Sequence, residues 1–143
     1  MVGRSGRDEG ERVLELGPGQ GAITAGLLAR FPQMTAVEID ERMVDHLRER
    51  EDLQQLDLRQ DDMLQLDFGE EAAARGGRLS LVSNTPFYLT SPLLFKTLGS
   101  LEHVESAVLT TQREVADKVR ALAAAACSRR QMCSARAIAG ELH

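Results

Sequence analysis

The segment Ser83-Asn84-Thr85-Pro86-Phe87 holds the side chains of this chain best suited to chemistry. It follows an apolar run, Leu79, Leu81 and Val82, that reads as a buried strand. The amide of Asn84, backbone carbonyls stiffened by Pro86 and the flat ring of Phe87 could together grip an exocyclic amino group on a planar base. Such a nitrogen is a poor nucleophile, because its lone pair is delocalised into the ring. Acceptors that take both amino hydrogens, here the Asn84 side chain and the Thr85 carbonyl, favour a pyramidal nitrogen with its lone pair free to attack. Phe87 stacked on the base would add about 1–3 kcal/mol, as other base–aromatic contacts do. The same pattern also describes a turn with a core phenylalanine, so its position in the fold decides between the two.

A second motif supplies that position. Glu15-Leu16-Gly17-Pro18-Gly19-Gln20-Gly21 lies between a strand and a helix, where glycines permit tight turning and close approach of a ligand to the backbone. A dinucleotide site more often shows G-x-G-x-x-G facing a pyrophosphate. Here the spacing is G-x-G-x-G, stiffened by Pro18 and preceded by an acid at Glu15. This suits S-adenosylmethionine, which has no phosphate and carries an ammonium group. A plain turn is the alternative, and three glycines in five residues argue against it. Glu38 ends the second strand, where a carboxylate can accept both hydroxyls of a ribose at about 1.5–3 kcal/mol per bond. Asp40 is better read as a helix N-cap. Asp61 and Asp62 follow the third strand, where one carboxylate could accept the adenine amino group of the cofactor; solvated loop acids are the other reading. The cofactor set is thus Glu15, Gly17, Gly19, Gly21, Glu38 and Asp61, with Asn84 touching both ligands. The amine set is Asn84, Thr85, Pro86 and Phe87. The chemistry is methyl transfer to a nucleobase nitrogen, driven by positioning.

Short apolar strands alternating with amphipathic helices must position these residues, the pattern of a parallel α/β sheet. Strands are expected at 12–16, 35–39, 56–59, 79–83 and 106–110. Helices are expected from Gly21 to Phe31, with Ile23, Leu27 and Leu28 inward, and through Met43, Val44 and Leu47, with Arg48, Glu49 and Arg50 in water. Another covers Glu70 to Arg75 and is closed by Gly76-Gly77. The next opens on Ser91 as N-cap with Pro92 at N1 and packs through Leu94, Phe95 and Leu98. The last carries Val115, Val119 and Leu122. Residues 1–11 read as a disordered segment, 12–126 as one Rossmann-like methyltransferase domain, and 127–143 as an irregular or helical tail.

The bulk properties narrow the class. A chain of 143 residues makes one domain, and its composition is that of an ordinary globular protein. The longest apolar run is too short to cross a bilayer, and the N-terminus has no secretory pattern. Cys127 and Cys133 have no metal-type spacing with histidine and read as free thiols, so neither a metal nor a membrane is expected. The net charge of −5 leaves little basic surface for phosphate, apart from a modest group at Arg129, Arg130 and Arg136. That group reads as solvated surface.

From Arg12 to about Ala121 the chain resembles the small-subunit ribosomal RNA adenine N6-dimethyltransferases of the KsgA type. The resemblance rests on Val13 to Gly21, Ala36-Val37-Glu38-Ile39-Asp40, Gln60-Asp61-Asp62-Met63, Asn84-Thr85-Pro86-Phe87, Ser91 to Lys96 and Gln112-Arg113-Glu114-Val115-Ala116, in that order and spacing. It implies a class I S-adenosylmethionine-dependent, Rossmann-like methyltransferase fold with strand order 3-2-1-4-5-7-6. The implied activity is dimethylation of two adjacent adenines near the 3′ end of small-subunit rRNA, free or in the pre-ribosomal subunit. It also favours Asp61 over Asp62, because the family's acid directly follows the position of Gln60. Tyr88 departs from the Asn common there.

No counterpart of the family's Gly-Gln-x-Phe segment precedes Arg12, and none of its last two strands or helical C-terminal domain follows Ala126. The expectation is therefore an incomplete sheet, and a partial or weakly active copy of the enzyme. Rival readings are a methyltransferase of another amino or amide nitrogen, and a non-catalytic nucleic-acid-associated relative such as an organellar transcription factor. A cytoplasmic, mitochondrial or plastid location fits equally.

Overall fold

The computed structural model describes residues 9–84 and 86–127. Five strands form one parallel sheet: β1 (Val13–Leu16), β2 (Thr35–Glu38), β3 (Asp57–Gln60), β4 (Leu79–Ser83) and β5 (Val104–Leu109). Their spatial order is β3-β2-β1-β4-β5. The connecting helices are α1 (Thr24–Arg30), α2 (Glu41–Glu49), α3 (Phe68–Arg75) and α4 (Phe87–Leu98), and α5 (Arg113–Cys127) follows β5.

The period-two alternation of β1 divides the core. Leu14 and Leu16 face a cluster with Leu79 and Leu81 of β4, Phe68 and Ala72 of α3 and Leu93 of α4. Val13 faces the opposite cluster, with Leu28 of α1 and Leu47 of α2. Glu15 shares that second face and is buried to 1% exposure. Below the sheet, Arg75 bonds both the Glu11 carbonyl and the Thr35 hydroxyl at 2.9 Å, which ties α3 to the edge opposite the glycine loop.

Several helix starts differ from the expectation. Residues 9–12 form a 3-10 turn leading into β1, while residues 1–8 lie outside the described ones. Helix α1 begins at Thr24, because residues 19–23 are spent on the turn. Thr24 is fully buried there, and Ile23 is an exposed hydrophobic. Helix α4 begins four residues before Ser91: extended Pro86 (φ −54°, ψ 148°) is its N-cap, and Pro92 lies inside. The carbonyl of Pro86 takes the first helical amides, from Leu89 and Thr90. Pro92 stands on the exposed side. The inward stripe is Thr90, Leu93 and Thr97, leaving Phe95 at 72% exposure and Leu98 at 40%. Arg50 is not a water-facing residue but half-buried. Asp40 does cap α2, accepting from the Arg42 amide at 2.9 Å. The tail from 128 onward, with Cys133 and the three arginines, lies outside the described residues, as does the side chain of Leu122.

Two stability measurements follow from this packing. Leu81→Ala, made at 1% exposure between β1 and the helices, should lower the urea-unfolding free energy by about 2–5 kcal/mol with an unchanged m-value. The second concerns Glu15, whose burial, reinforced by the Glu38 carboxylate, pushes its carboxyl from 4.5 up to about 7. The folded protein then holds a proton that the unfolded chain has lost. Stability must fall as pH rises from 4.5 through 7, by up to about 3 kcal/mol, with the loss complete above 7. Urea melts of Glu15→Gln should lack this decline and show a more stable protein at pH 8.

Candidate active site

Because all five strands are parallel, their C-terminal ends meet one edge. Four hydrogen bonds stitch that edge from side to side. The Asp61 amide donates to the Glu38 carbonyl at 3.1 Å, and the Gly17 amide to the Val37 carbonyl at 2.8 Å. The Ser83 hydroxyl donates to the Leu16 carbonyl at 2.8 Å, buried between β4 and β1. The Thr110 amide donates to the Ser83 carbonyl at 3.0 Å. Read across the sheet, the row is Asp61, Glu38, Gly17, Asn84 and Thr110. The glycine loop and Asn84 therefore leave adjacent strands at the point where the strand order reverses, the usual ligand crevice of an open α/β sheet.

The glycine loop needs its glycines. Gly17, Gly19 and Gly21 have φ of 71°, 59° and 84°. At Gly21 a Cβ would also lie 2.6 Å from Arg50 Nη1 and 2.8 Å from Leu47 Cδ2. Arg50 holds the turn by donating to the carbonyls of Gln20 (3.1 Å) and Gly21 (3.0 Å). Its other edge is fixed by a two-point pair with Asp52. Gly19 differs, since a Cβ there would meet nothing within 4 Å. That flank of the loop is open for something else to approach.

Glu38 organises the acid side of the row. Its Oε1 accepts from the Gly19 amide at 2.9 Å. Its Oε2 accepts from the amides of Ile39 and Asp40, at 2.9 and 3.1 Å. A carboxylate has about four lone-pair sites, so capacity for a further donor remains on Oε1. Glu15 lies beneath. The nearby Thr24 hydroxyl pulls its carboxyl part of the way back down, but the contact falls short of hydrogen-bond geometry, so Glu15 Oε2 and Thr24 Oγ1 are both left without a partner. An unsatisfied buried carboxyl oxygen close to the Glu38 carboxylate suits a ligand that brings positive charge and N–H donors. Asp61 and Asp62 are both engaged locally: Asp61 Oδ1 takes the Asp62 amide, and Asp62 Oδ1 takes the Leu64 amide at 2.9 Å. The other oxygen of Asp61 lies 3.6 Å from Arg59.

On the β4 side, Asn84 is half-buried and its Oδ1 accepts from the Thr110 hydroxyl at 2.9 Å. Pro86 is exposed at the start of α4. Thr85 lies outside the described residues, as does the side chain of Phe87. Thr24, Arg50 and Thr110 are the residues that sequence reasoning missed. Thr24 occupies a helix face expected to be apolar, Arg50 acts through reach across the fold, and Thr110 acts through strand neighbours remote in sequence. Among the described residues, no group of three or more His, Cys, Asp or Glu is placed to hold a metal ion, and no helix is long and apolar enough to cross a membrane.

Known proteins are similar to this chain in sequence and fold. The ribosomal RNA small subunit methyltransferase A of Salinibacter ruber is 46% identical over 107 residues, covering 75% of this chain and 36% of its own length. The chain thus spans well under half of that relative. Among solved structures, the 23S rRNA methyltransferase ErmE is 31% identical with a TM-score of 0.59, over 73% of this chain and 40% of that one. A dimethyladenosine transferase from Plasmodium falciparum is 27% identical with a TM-score of 0.58, over 76% of this chain and 38% of that one. The sheet is the Rossmann-like sheet of class I methyltransferases, with the first five strands in the expected order. The family model for the ribosomal RNA adenine dimethylases matches residues 4–138, and the chain belongs to that family.

Proposed function

We propose that the chain binds S-adenosylmethionine over β1 and β2 and offers Asn84 to an adenine amino group of small-subunit rRNA, as part of an adenine N6,N6-dimethyltransferase. The observation that carries this reading is the parallel pairing of β1 with β4, which brings the glycine loop and Asn84 to one edge. The relatives' names, rRNA methyltransferase and dimethyladenosine transferase, support the substrate class.

Each residue then has a part set by its surroundings. Gly19 gives the cofactor access to the backbone. Glu38, already held by three amides, keeps acceptor capacity on Oε1 for one ribose hydroxyl. Glu15 and Thr24, both unsatisfied, would face the ammonium end, where Glu15 ionises in exchange for a favourable partner. Asp61 takes the cofactor's adenine amino group, and Gly17 and Gly21 shape the loop. When bound there, the cofactor supplies an electrophilic methyl group on a sulfonium. On the substrate side, Asn84 Oδ1 and the Thr85 carbonyl accept the two amino hydrogens and keep the nitrogen lone pair free. Pro86 stiffens this segment, and Phe87 stacks on the base. This reading fits a chain that works where small ribosomal subunits mature, in bacterial cytoplasm or an organelle.

Calorimetry with S-adenosylmethionine and NAD, followed by methyl transfer to a fragment from the 3′ end of small-subunit rRNA, tests this. The first ligand should bind and NAD should not. Glu38→Ala should weaken cofactor binding by roughly 10- to 100-fold, the worth of one hydrogen bond to a charged group. Asn84→Ala should keep cofactor affinity and lose transfer. Equal loss of affinity in both variants contradicts this division of labour. Cofactor binding with no transfer by the unmodified chain favours the non-catalytic relative.

A further inference from the structure

Thr110, the residue immediately after β5, has each of its polar groups in use. Its amide donates to the Ser83 carbonyl at 3.0 Å. Its carbonyl is the nearer acceptor of the Thr90 hydroxyl, at 3.1 Å against 3.3 Å for the Pro86 carbonyl. Its own hydroxyl donates to Asn84 Oδ1 at 2.9 Å. Thr110 is thereby bound to the end of β4 on one side and to buried Thr90 of α4 on the other. A β-branched side chain on so constrained a backbone has little χ1 freedom, so its hydroxyl is a fixed point. Asn84 is the opposite case. The χ2 torsion of an asparagine is broad and roughly two-fold, and nothing within the side chain itself decides how the amide plane lies.

We propose that Thr110 is a positioning residue for the amine-acceptor site, fixing the plane of the Asn84 amide by donating to its Oδ1. That bond occupies one lone pair of Oδ1 and leaves the second for a hydrogen of the incoming amino group. It also forms before substrate arrives, so the acceptor need not be ordered during the reaction. The proposal deepens the reading of Asn84 given above and rests on it. Neither Gln112-Arg113-Glu114-Val115-Ala116 nor the glycine loop contributes to this contact, which arises from the pairing of β4 with β5.

The test compares Thr110→Val, which keeps shape and backbone bonds but lacks the hydroxyl, with Thr110→Ser, which restores it. The first readout needs no activity: the order parameter of the Asn84 side-chain amide by NMR, its resonance assigned through its loss in Asn84→Asp. It should be close to backbone values in the wild type and Thr110→Ser, and clearly lower in Thr110→Val. The second readout is transfer to the rRNA fragment. Thr110→Val should lower kcat about tenfold with the dissociation constant of S-adenosylmethionine unchanged, and Thr110→Ser should recover most of it. Should Thr110→Val fail to fold, Thr110→Ala takes its place in both measurements. An amide equally ordered in wild type and valine variant, or an unchanged kcat, overturns the proposal. A wild-type chain that binds cofactor yet methylates nothing overturns the reading of Asn84 instead, and the amide order still decides whether Thr110 holds it.

Discussion

The parallel pairing of β1 with β4 is the constraint on which the site depends. Val13 is registered with Ser80, Leu14 with Leu81 and Glu15 with Val82. Both strands are buried along most of their length, so a one-residue slip of either would turn its own leucines, Leu14 and Leu16 or Leu79 and Leu81, away from their cluster. The hydrophobic core therefore fixes the relative height of two loops far apart in sequence. The buried bond from the Ser83 hydroxyl to the Leu16 carbonyl extends the registration past the last ladder position. A ligand over Gly17 and a base at Asn84 would then meet because of leucines that touch neither.

The acids at this edge show how one residue type serves different ends. Asp40 and Asp67 cap helices by accepting amides at their N-termini. Glu38 accepts three amides, of which the one from Gly19 holds the glycine loop against the end of β2, and it remains almost wholly buried. Glu15 has no such support. It sits in a strand whose other three residues are leucine or valine, with an oxygen unsatisfied. An apolar residue there would stabilise the empty protein better, and natural sites often hold such a destabilising group where a ligand will later satisfy it.

Much of the fold was legible because the strands are short apolar runs between clear turns. The order of elements, the Asp40 cap and the Gly76 closure of α3 follow from local rules that tertiary contacts did not override. Helix α4 was misread for a physical reason: Ser91-Pro92 is a good start signal, but Pro86 provides one four residues earlier, and Pro92 is tolerated on the exposed side. Thr24 was hidden because a threonine among apolar residues carries no periodic signal. Arg50 reads as a water-facing end of α2 until the chain folds back and brings Gln20 and Gly21 within its reach. Thr110 and Asn84 are paired only by the register of β4 and β5, which no local pattern encodes.

Amide hydrogen exchange with and without S-adenosylhomocysteine tests the shared edge most directly. The account predicts protection at Gly17–Gly21 and Ile39–Asp40 on binding. Adding an adenine-bearing rRNA fragment should then protect Asn84 and the start of α4. The amides of Arg75 to Arg78, on the far side of the sheet, should keep their rates. Protection by the two ligands at opposite ends of the sheet, or by either one at Arg75 to Arg78 alone, would contradict it.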